Sequence, residues 1–299
     1  MNPVANRKTA LIALIVLTLI WAYSWVVMKQ VMRFSGPVEF SALRYGGGAL
    51  VLLLLLAVRR ESLKPTPLKL TIAVGLCQTT AFQAFSQGAL VAGGAGKVSL
   101  LAYTMPFWAV LLAWWMLKER LGPRQWLALA LAAGGLICVM EPWQGLGSLK
   151  SALLAVAGGV SWALGTVLSK RMFQLHAPSP LSFTTWQMLF GAVALGIIAL
   201  ILPERAIAWT SPFILGLLYS VLLASSLGWL LWLFVVKNLP TSVAGMASLA
   251  VPVTVVLMAW AILAERPDGS ETVGIVLIVA GLLVVSGVGK RRKGTLPEH

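Results

Sequence analysis

Long apolar runs alternate along the chain with short polar or basic interruptions. Ten apolar segments can be traced, at residues 9–28, 38–58, 68–91, 97–117, 123–140, 149–169, 180–202, 211–236, 242–264 and 270–289. Each is close to the roughly 20 residues a helix needs to cross a hydrocarbon core about 30 Å thick. The interruptions leave no room for a separate soluble domain. The first segment follows Arg7 and Lys8 as the core of a signal peptide would. It is too long for that role, and Trp21-Ala22-Tyr23-Ser24-Trp25 offers no small-residue cleavage site. The pattern predicts an all-α membrane protein with ten transmembrane helices.

The two halves of the pattern repeat each other. The fifteen residues from Pro106 to Arg120 align with those from Pro252 to Arg266 at an offset of 146, with eight identities that include the proline, Trp114 over Trp260, and Glu119-Arg120 over Glu265-Arg266. Trp21-Ala22 and Lys29 of the first segment match Trp162-Ala163 and Lys170 of the sixth. Phe40 and Gly48 of the second match Phe183 and Gly191 of the seventh. The sequence therefore divides into five-helix units at 9–140 and 149–289. Five is odd, so the second unit enters the membrane from the opposite side. The expected architecture is a pair of inverted repeats, which favours a substrate site near the midplane and motion by rocking.

Composition agrees with that picture and narrows it. Of 299 residues, 59 % are hydrophobic and 11 % charged, against about a quarter charged in soluble domains. The net charge of +14 would suggest nucleic acid, but the basic residues stand between apolar runs, where they set orientation. With the N-terminus inside, the cytoplasmic segments hold sixteen Lys and Arg and the outer segments six, Arg44 lying within the second helix. Both termini are thus expected in the cytoplasm. Cys77 and Cys138 sit inside apolar runs and read as small buried hydrophobes rather than a disulfide.

The mid-helix prolines followed by Glu-Arg, Pro106 with Glu119-Arg120 and Pro252 with Glu265-Arg266, carry a resemblance. Over roughly residues 9–289 the chain resembles the drug/metabolite transporter superfamily, specifically its ten-helix exporters built from two five-helix units. Trp-rich stretches such as Trp21-Ala-Tyr-Ser-Trp25 make it most similar to the bacterial aromatic amino-acid exporters. The resemblance implies an exporter of the bacterial-type cytoplasmic (inner) membrane, multi-pass, with a central cavity lined from both repeats.

Several residue sets could furnish that cavity. A proline within a helix frees the carbonyl four residues earlier, so Pro106 and Pro252 would release those of Ala102 and Ser248 as acceptors for an ammonium group. The symmetry of the pair favours two hinges flanking the site over simple packing kinks. Thr79, Gln83, Ser86 and Gln87 fall on one helical face, flanked by Gln78 and Thr80; they either line the cavity or tie helices together. Of thirteen tryptophans, Trp114, Trp115, Trp126, Trp186, Trp209 and Trp260 suit an interfacial belt, Trp143 lies in a loop, and Trp25 and Trp232 are intermediate. Trp21, Trp108, Trp162 and Trp229 are too deep for a belt, and a buried indole N–H needs a partner. Trp21 and Trp162 are repeat-equivalent, which favours a pair facing each other across the centre, with Tyr103 beside them. Packing is the favoured reading for Trp108 and Trp229, a cavity role the other. The substrate-binding candidates are Trp21, Ser24, Gln78, Thr79, Gln83, Tyr103, Pro106, Trp162, Trp229, Ser248 and Pro252. Small residues spaced by four in the sixth segment, Ala155, Gly159 and Ala163 together with Ala157, Ser161 and Gly165, support close helix contact rather than binding.

Charge placement limits the chemistry. None of the nine acids, nor His176 or His299, lies near a helix midpoint, so a relay of buried protons is not expected. Arg44 is the basic residue inside an apolar segment. Snorkelling to the outer headgroups or pairing with Glu39 is the favoured reading, and a partner for a substrate carboxylate near the outer opening is the other. The expected function is export of neutral, preferably aromatic, amino acids and related metabolites by alternating access, facilitative or by exchange. A carrier of nucleotide-sugars or other small metabolites or drugs is the alternative, although it would want several central cations. A lipid-directed enzyme lacks a visible nucleophile, metal cluster or acid/base pair, so no catalytic residue, metal or cofactor is expected. A passive channel is a further possibility. The partners expected are a small-molecule substrate and the lipid bilayer, not nucleic acid, and a monomer suffices for the task.

Overall fold

The computed structural model describes residues 3–117, 121–141, 146–202, 204–238 and 241–285, with side chains throughout except at 3–7, 113, 117, 146–148, 236–237, 241–249 and 285. Every regular element among the described residues is helical. In chain order these are α1 (Pro3–Val31), α2 (Pro37–Val58), α3 (Leu68–Val74) running through a π-helical stretch (Gly75–Ala81) into α4 (Phe82–Ala92), α5 (Ala95–Ala102), α6 (Met105–Leu117), α7 (Pro123–Met140), α8 (Leu146–His176), α9 (Pro180–Ile201), α10 (Ser211–Leu218) running through a second π-helical stretch (Tyr219–Leu227) into α11 (Gly228–Asn238), α12 (Thr241–Leu263) and α13 (Gly269–Val285). Proline occupies the first turn of α2, α7, α9 and α10, where its missing N–H leaves no helix bond unmade.

Seven helices among the described residues are long and apolar enough to cross a membrane: Lys8–Val31, Pro37–Val58, Ala95–Met116, Pro123–Met140, Leu149–His176, Pro180–Ile201 and Ser211–Val235. Two shorter apolar helices, Ala250–Leu263 and Gly269–Val284, accompany them. The helices over 68–92 are the ones that carry the polar stripe.

Packing follows one scheme in each half with the halves exchanged. Helix α1 lies against α11 and α12, while α8 lies against α4, α5 and α6; α2 pairs with α9, and α7 with α13. The small residues of α8 make its approach possible. A Cβ on Gly159 would stand 2.8 Å from the carbonyl oxygen of Ala102, so the α8 backbone rests directly on the end of α5.

Two irregularities matter for the cavity. Between α5 and α6 the helix stops at Tyr103 and Thr104 and restarts ahead of Pro106. The turn is held by the Tyr103 N–H on the Ser99 carbonyl (2.8 Å) and the Thr104 hydroxyl on the Leu101 carbonyl (2.6 Å). The repeat-equivalent Pro252 lies inside an uninterrupted α12. The expected pair of matching hinges is therefore one break and one continuous helix. Both π-helical stretches, by contrast, are matched. Thr80 and Ser226 are 146 positions apart, and each hydroxyl donates to the carbonyl five residues back, Gly75 at 3.4 Å and Val221 at 2.8 Å. Single π turns of this kind collect at functional sites.

Candidate functional site

The two π turns, the α5–α6 break and the middle of α1 converge on one small cavity of about 60 Å³. Trp21, Ser24, Trp25 and Met28 reach it from one face of α1, Arg44 and Tyr45 from α2, and Gln78 and Thr79 from the first π turn. Phe82 and Gln83 follow from α4, Tyr103 from the break, Trp162 from α8, Ala224 from the second π turn and Trp229 from α11. Eight of the eleven residues expected to bind substrate, namely Trp21, Ser24, Gln78, Thr79, Gln83, Tyr103, Trp162 and Trp229, are thus brought together. Pro106 and Pro252 do not line this cavity. The Ser248 side chain, like Glu119, Arg120 and Trp143, lies outside the described residues. The Ala102 carbonyl, expected to be free for an ammonium group, faces Gly159 instead.

Aromatic side chains form two clusters around the space. Trp21 packs against Trp229 (6.1 Å between ring centroids) and Trp232 (5.9 Å). Its indole N–H donates to the Ala224 carbonyl at 3.1 Å, which satisfies the donor where the second π turn alters the helix ladder. Trp162 packs against Phe82 (4.9 Å) and Tyr103 (5.4 Å), and Tyr103 in turn meets Trp25 (6.3 Å). The repeat-equivalent tryptophans therefore both line the cavity, each within its own cluster. Trp108 is anchored away from it by its N–H on Thr104 Oγ1 at 3.0 Å.

The polar stripe divides at this level. Thr79 donates to Gln187 Oε1 (2.9 Å) and Gln83 Nε2 donates to the Tyr45 hydroxyl (2.7 Å). Gln83 is 3 % exposed, and its Oε1 is buried without a hydrogen-bond partner. Ser86 and Gln87, one turn further on, are buried outside the cavity wall.

Arg44 departs from the favoured sequence reading. It neither snorkels nor pairs with Glu39. It is only 5 % exposed and lines the cavity. Nε donates to Ser225 Oγ at 3.0 Å and Nη1 to Met28 Sδ at 2.7 Å, and the guanidinium carbon stands 5.1 Å from the Tyr45 ring centroid. Among the described residues no carboxylate lies within ion-pair distance of it. The sequence signal was present, a cation in an apolar run, but a run alone does not say which face meets lipid. Trp25 and Met28 were missed although they follow Trp21 at helical spacing.

The contact Arg44 makes has a counterpart. Ser225 and Thr79 are 146 positions apart and stand in the two π turns. Arg44 of α2 bonds Ser225; Gln187 of α9 bonds Thr79. One turn beyond each lies a glycine. A Cβ on Gly48 would stand 3.0 Å from Ser225 Cβ, and one on Gly191 2.7 Å from Thr79 Cγ2.

A much larger space adjoins the cavity. Gln78 and Trp229 also line a vestibule of about 920 Å³ bounded by Leu55, Arg59, Thr166, Ser169, Phe173, Thr184 and Leu233 among others. Ties between helix ends gather at the opposite end of the bundle. Glu204 accepts the N–H groups of Val38 and Glu39 at the start of α2 (3.0 and 2.9 Å). Lys29 donates to the carbonyls of Leu90 and Gly93 (2.7 and 2.8 Å), and Glu265 accepts from the Gly96 N–H (3.2 Å). Lys97 pairs with Glu141 at 2.9 Å and Glu271 at 3.0 Å.

A multi-pass helical bundle around a polar and aromatic cavity, with a wide vestibule beside it, is the build of a small-molecule transporter. The chain belongs to the EamA-like transporter family, within the drug/metabolite transporter superfamily; the family matches twice, over residues 8–140 and 149–287. It is similar to the uncharacterized transporter YoaV of Bacillus subtilis, 28 % identical over 289 residues that cover 95 % of this chain and 98 % of the relative. It is 29 % identical to a protein of Salmonella typhimurium named "Probable amino-acid metabolite efflux pump" (96 % and 98 % covered) and 28 % identical to one of the same name in Escherichia coli (93 % and 95 %). A solved crystal structure shares the fold with a TM-score of 0.66 at 19 % identity, over 96 % of this chain and 99 % of that one. The chain is a multi-pass membrane transporter and not an enzyme.

Proposed function

We propose that this transporter exports neutral, preferably aromatic, amino acids and related metabolites across a bacterial cytoplasmic membrane, by alternating access of two inverted five-helix halves that together make ten spans. The observation that carries this reading is the cavity itself. Aromatic faces from both halves and amide groups from α4 and the first π turn meet at the point where the wide vestibule narrows. Aromatic surfaces suit an apolar side chain, and the amides suit a zwitterion's polar end. The exchanged packing scheme, the double family match and the paired π turns all support the repeat. Two relatives bear a name that speaks of amino-acid metabolite efflux.

With both termini cytoplasmic, as the distribution of Lys and Arg favours, the vestibule opens inward and the tied end faces out. The structure is then an inward-facing state. Its centre, about 60 Å³, must widen to admit cargo. Among the described residues the cavity wall carries no carboxylate or histidine, which supports facilitated diffusion or exchange over proton coupling. It carries one cation, where a nucleotide-sugar would want several.

Purified protein in liposomes, offered labelled Trp, Phe, Thr and a nucleotide-sugar, tests the assignment. Trp and Phe are expected to enter fastest, unlabelled Trp inside to accelerate labelled Trp, and a pH gradient to have no effect. No flux of Trp or Phe above empty liposomes overturns the substrate class, and strict dependence on a pH gradient overturns the mechanism. Trp162→Ala and Tyr103→Ala are expected to lower the flux by about tenfold each without loss of folded protein; full activity in both removes them from the site.

A further inference from the structure

Arg44 carries a charge that the helix frame around it does not require. In the other half the corresponding place is held by Gln187, which ties α9 to the first π turn through Thr79 just as Arg44 ties α2 to the second through Ser225. A neutral side chain therefore suffices for the packing. A guanidinium 5 % exposed, deep in an apolar bundle and with no acid beside it, pays a desolvation penalty that its hydroxyl and thioether contacts only partly offset. Nη2 makes no hydrogen bond to the described residues. The guanidinium borders the same small cavity as the buried, unpartnered Oε1 of Gln83. One wall thus offers a planar cation with free N–H donors, and another an unused acceptor.

We propose that Arg44 is the anion-binding subsite of the central cavity, and that the cargo is a small apolar or aromatic molecule bearing a carboxylate. The carboxylate supplies the counter-charge the protein withholds, through the N–H donors that Ser225 and Met28 leave free. Gln83 Oε1 then accepts from an α-ammonium group, so the two fixtures together match an α-amino acid. The apolar part lies on Trp162, Tyr103 and Phe82. This rests on the export reading for where the cargo halts, and adds which group of the cargo the protein reads.

The test compares three ligands that differ by one group each: phenylalanine, 3-phenylpropionate without the amine, and phenethylamine without the carboxylate. The full-length protein in liposomes is expected to carry both carboxylates and to carry phenethylamine at least about tenfold more slowly. Arg44→Gln, which installs the residue used at the corresponding place in the other half, is expected to slow both carboxylates by more than about tenfold and not to slow phenethylamine. Arg44→Lys, which keeps the charge but loses the planar fork, is expected to restore about a third or more of the wild-type rate. Protection against thermal unfolding in detergent gives the same comparison without flux: the carboxylates raise the wild-type midpoint and leave that of Arg44→Gln unmoved. Wild-type rates of phenylalanine transport in a folded Arg44→Gln overturn the proposal, as does equal carriage of phenylalanine and phenethylamine by the wild type. Transport of 3-phenylpropionate but not phenylalanine, abolished in Arg44→Gln, sustains the Arg44 subsite and overturns amino-acid export instead.

Discussion

Glu141 follows the last turn of α7 in the left-handed region, with φ of 46°, and its side chain is buried beside the Lys97 ammonium. Burial pushes its carboxyl above the usual value of 4.5 and Asp268 adds to the rise, while Lys97 works against both. A raised value means the folded protein binds this proton more tightly than the unfolded chain does. Its contribution to stability is then full below 4.5 and is lost as pH rises through the raised value. Glu141→Gln is expected to flatten thermal stability across that mildly acidic range, with the wild type losing stability as pH increases there and the variant not. An identical pH profile for the two proteins would contradict the assignment. Single residues were legible in the sequence to the extent that depth alone decided them. Trp21 and Trp162 announced themselves by lying too deep for an interfacial belt. Glu141 did not, because a residue at a helix end can face water or a neighbouring helix, and only the packing of Lys97 and Asp268 around it decides which.

Helix spacing in the sequence located nearly every helix, because apolar length is what a bilayer selects. It could not register the π turns at Gly75–Ala81 and Tyr219–Leu227. One extra residue in a turn leaves the composition unchanged and alters only which residues share a face. Thr79 stands in the first π turn, whereas Gln83, Ser86 and Gln87 share the regular α4, where Ser86 and Gln87 leave the cavity by lying a turn further along the helix. Nor could the sequence tell Pro106 from Pro252, since both lie in matching contexts; the break ahead of Pro106 faces α8, which presses on the Ala102 carbonyl through Gly159. The π turns are seated by glycines on the facing helices. A Cβ on Gly191 would stand 2.8 Å from the Gly75 carbonyl oxygen as well as against Thr79, whereas Gly196, further along α9, has nothing within 4 Å. Gly191→Ala is therefore expected to destabilise by about 1–3 kcal/mol through forced separation of α9 from the π turn. Gly196→Ala, by relieving a flexible helix position, is expected to cost nothing. Melting of both variants in detergent checks the contrast, and equal midpoints would mean the two helices are not held as closely as the structure places them.

Taken together, the helices leave a wide vestibule at one end and gather ties at the other, and the asymmetry between the ends has a physical origin. At the tied end, short loops put Glu204, Lys29, Glu265 and Lys97 within reach of helix termini and of opposite charges, where oriented N–H and carbonyl groups reward them. Across the bundle the vestibule of about 920 Å³ keeps α8 and α9 apart from α11, so residues on its wall meet water. Which membrane face that is depends on the orientation read from Lys and Arg, and a single thiol decides it. Ser169 lies on the vestibule wall and bonds only its own helix, donating to the Gly165 carbonyl at 2.7 Å, so Ser169→Cys is a mild change. In a background of Cys77→Ala and Cys138→Ala, a membrane-impermeant maleimide is expected to label Cys-substituted protein in inside-out vesicles and to spare it in right-side-out ones. A transported amino acid supplied at the cytoplasmic face is expected to slow the labelling, because closure around the cargo shifts the population away from the inward-facing state by its differential affinity for the closed form. Labelling confined to right-side-out vesicles would invert the orientation and make the vestibule the exit. Equal labelling from both sides would argue for a continuous pore, and with it against alternating access.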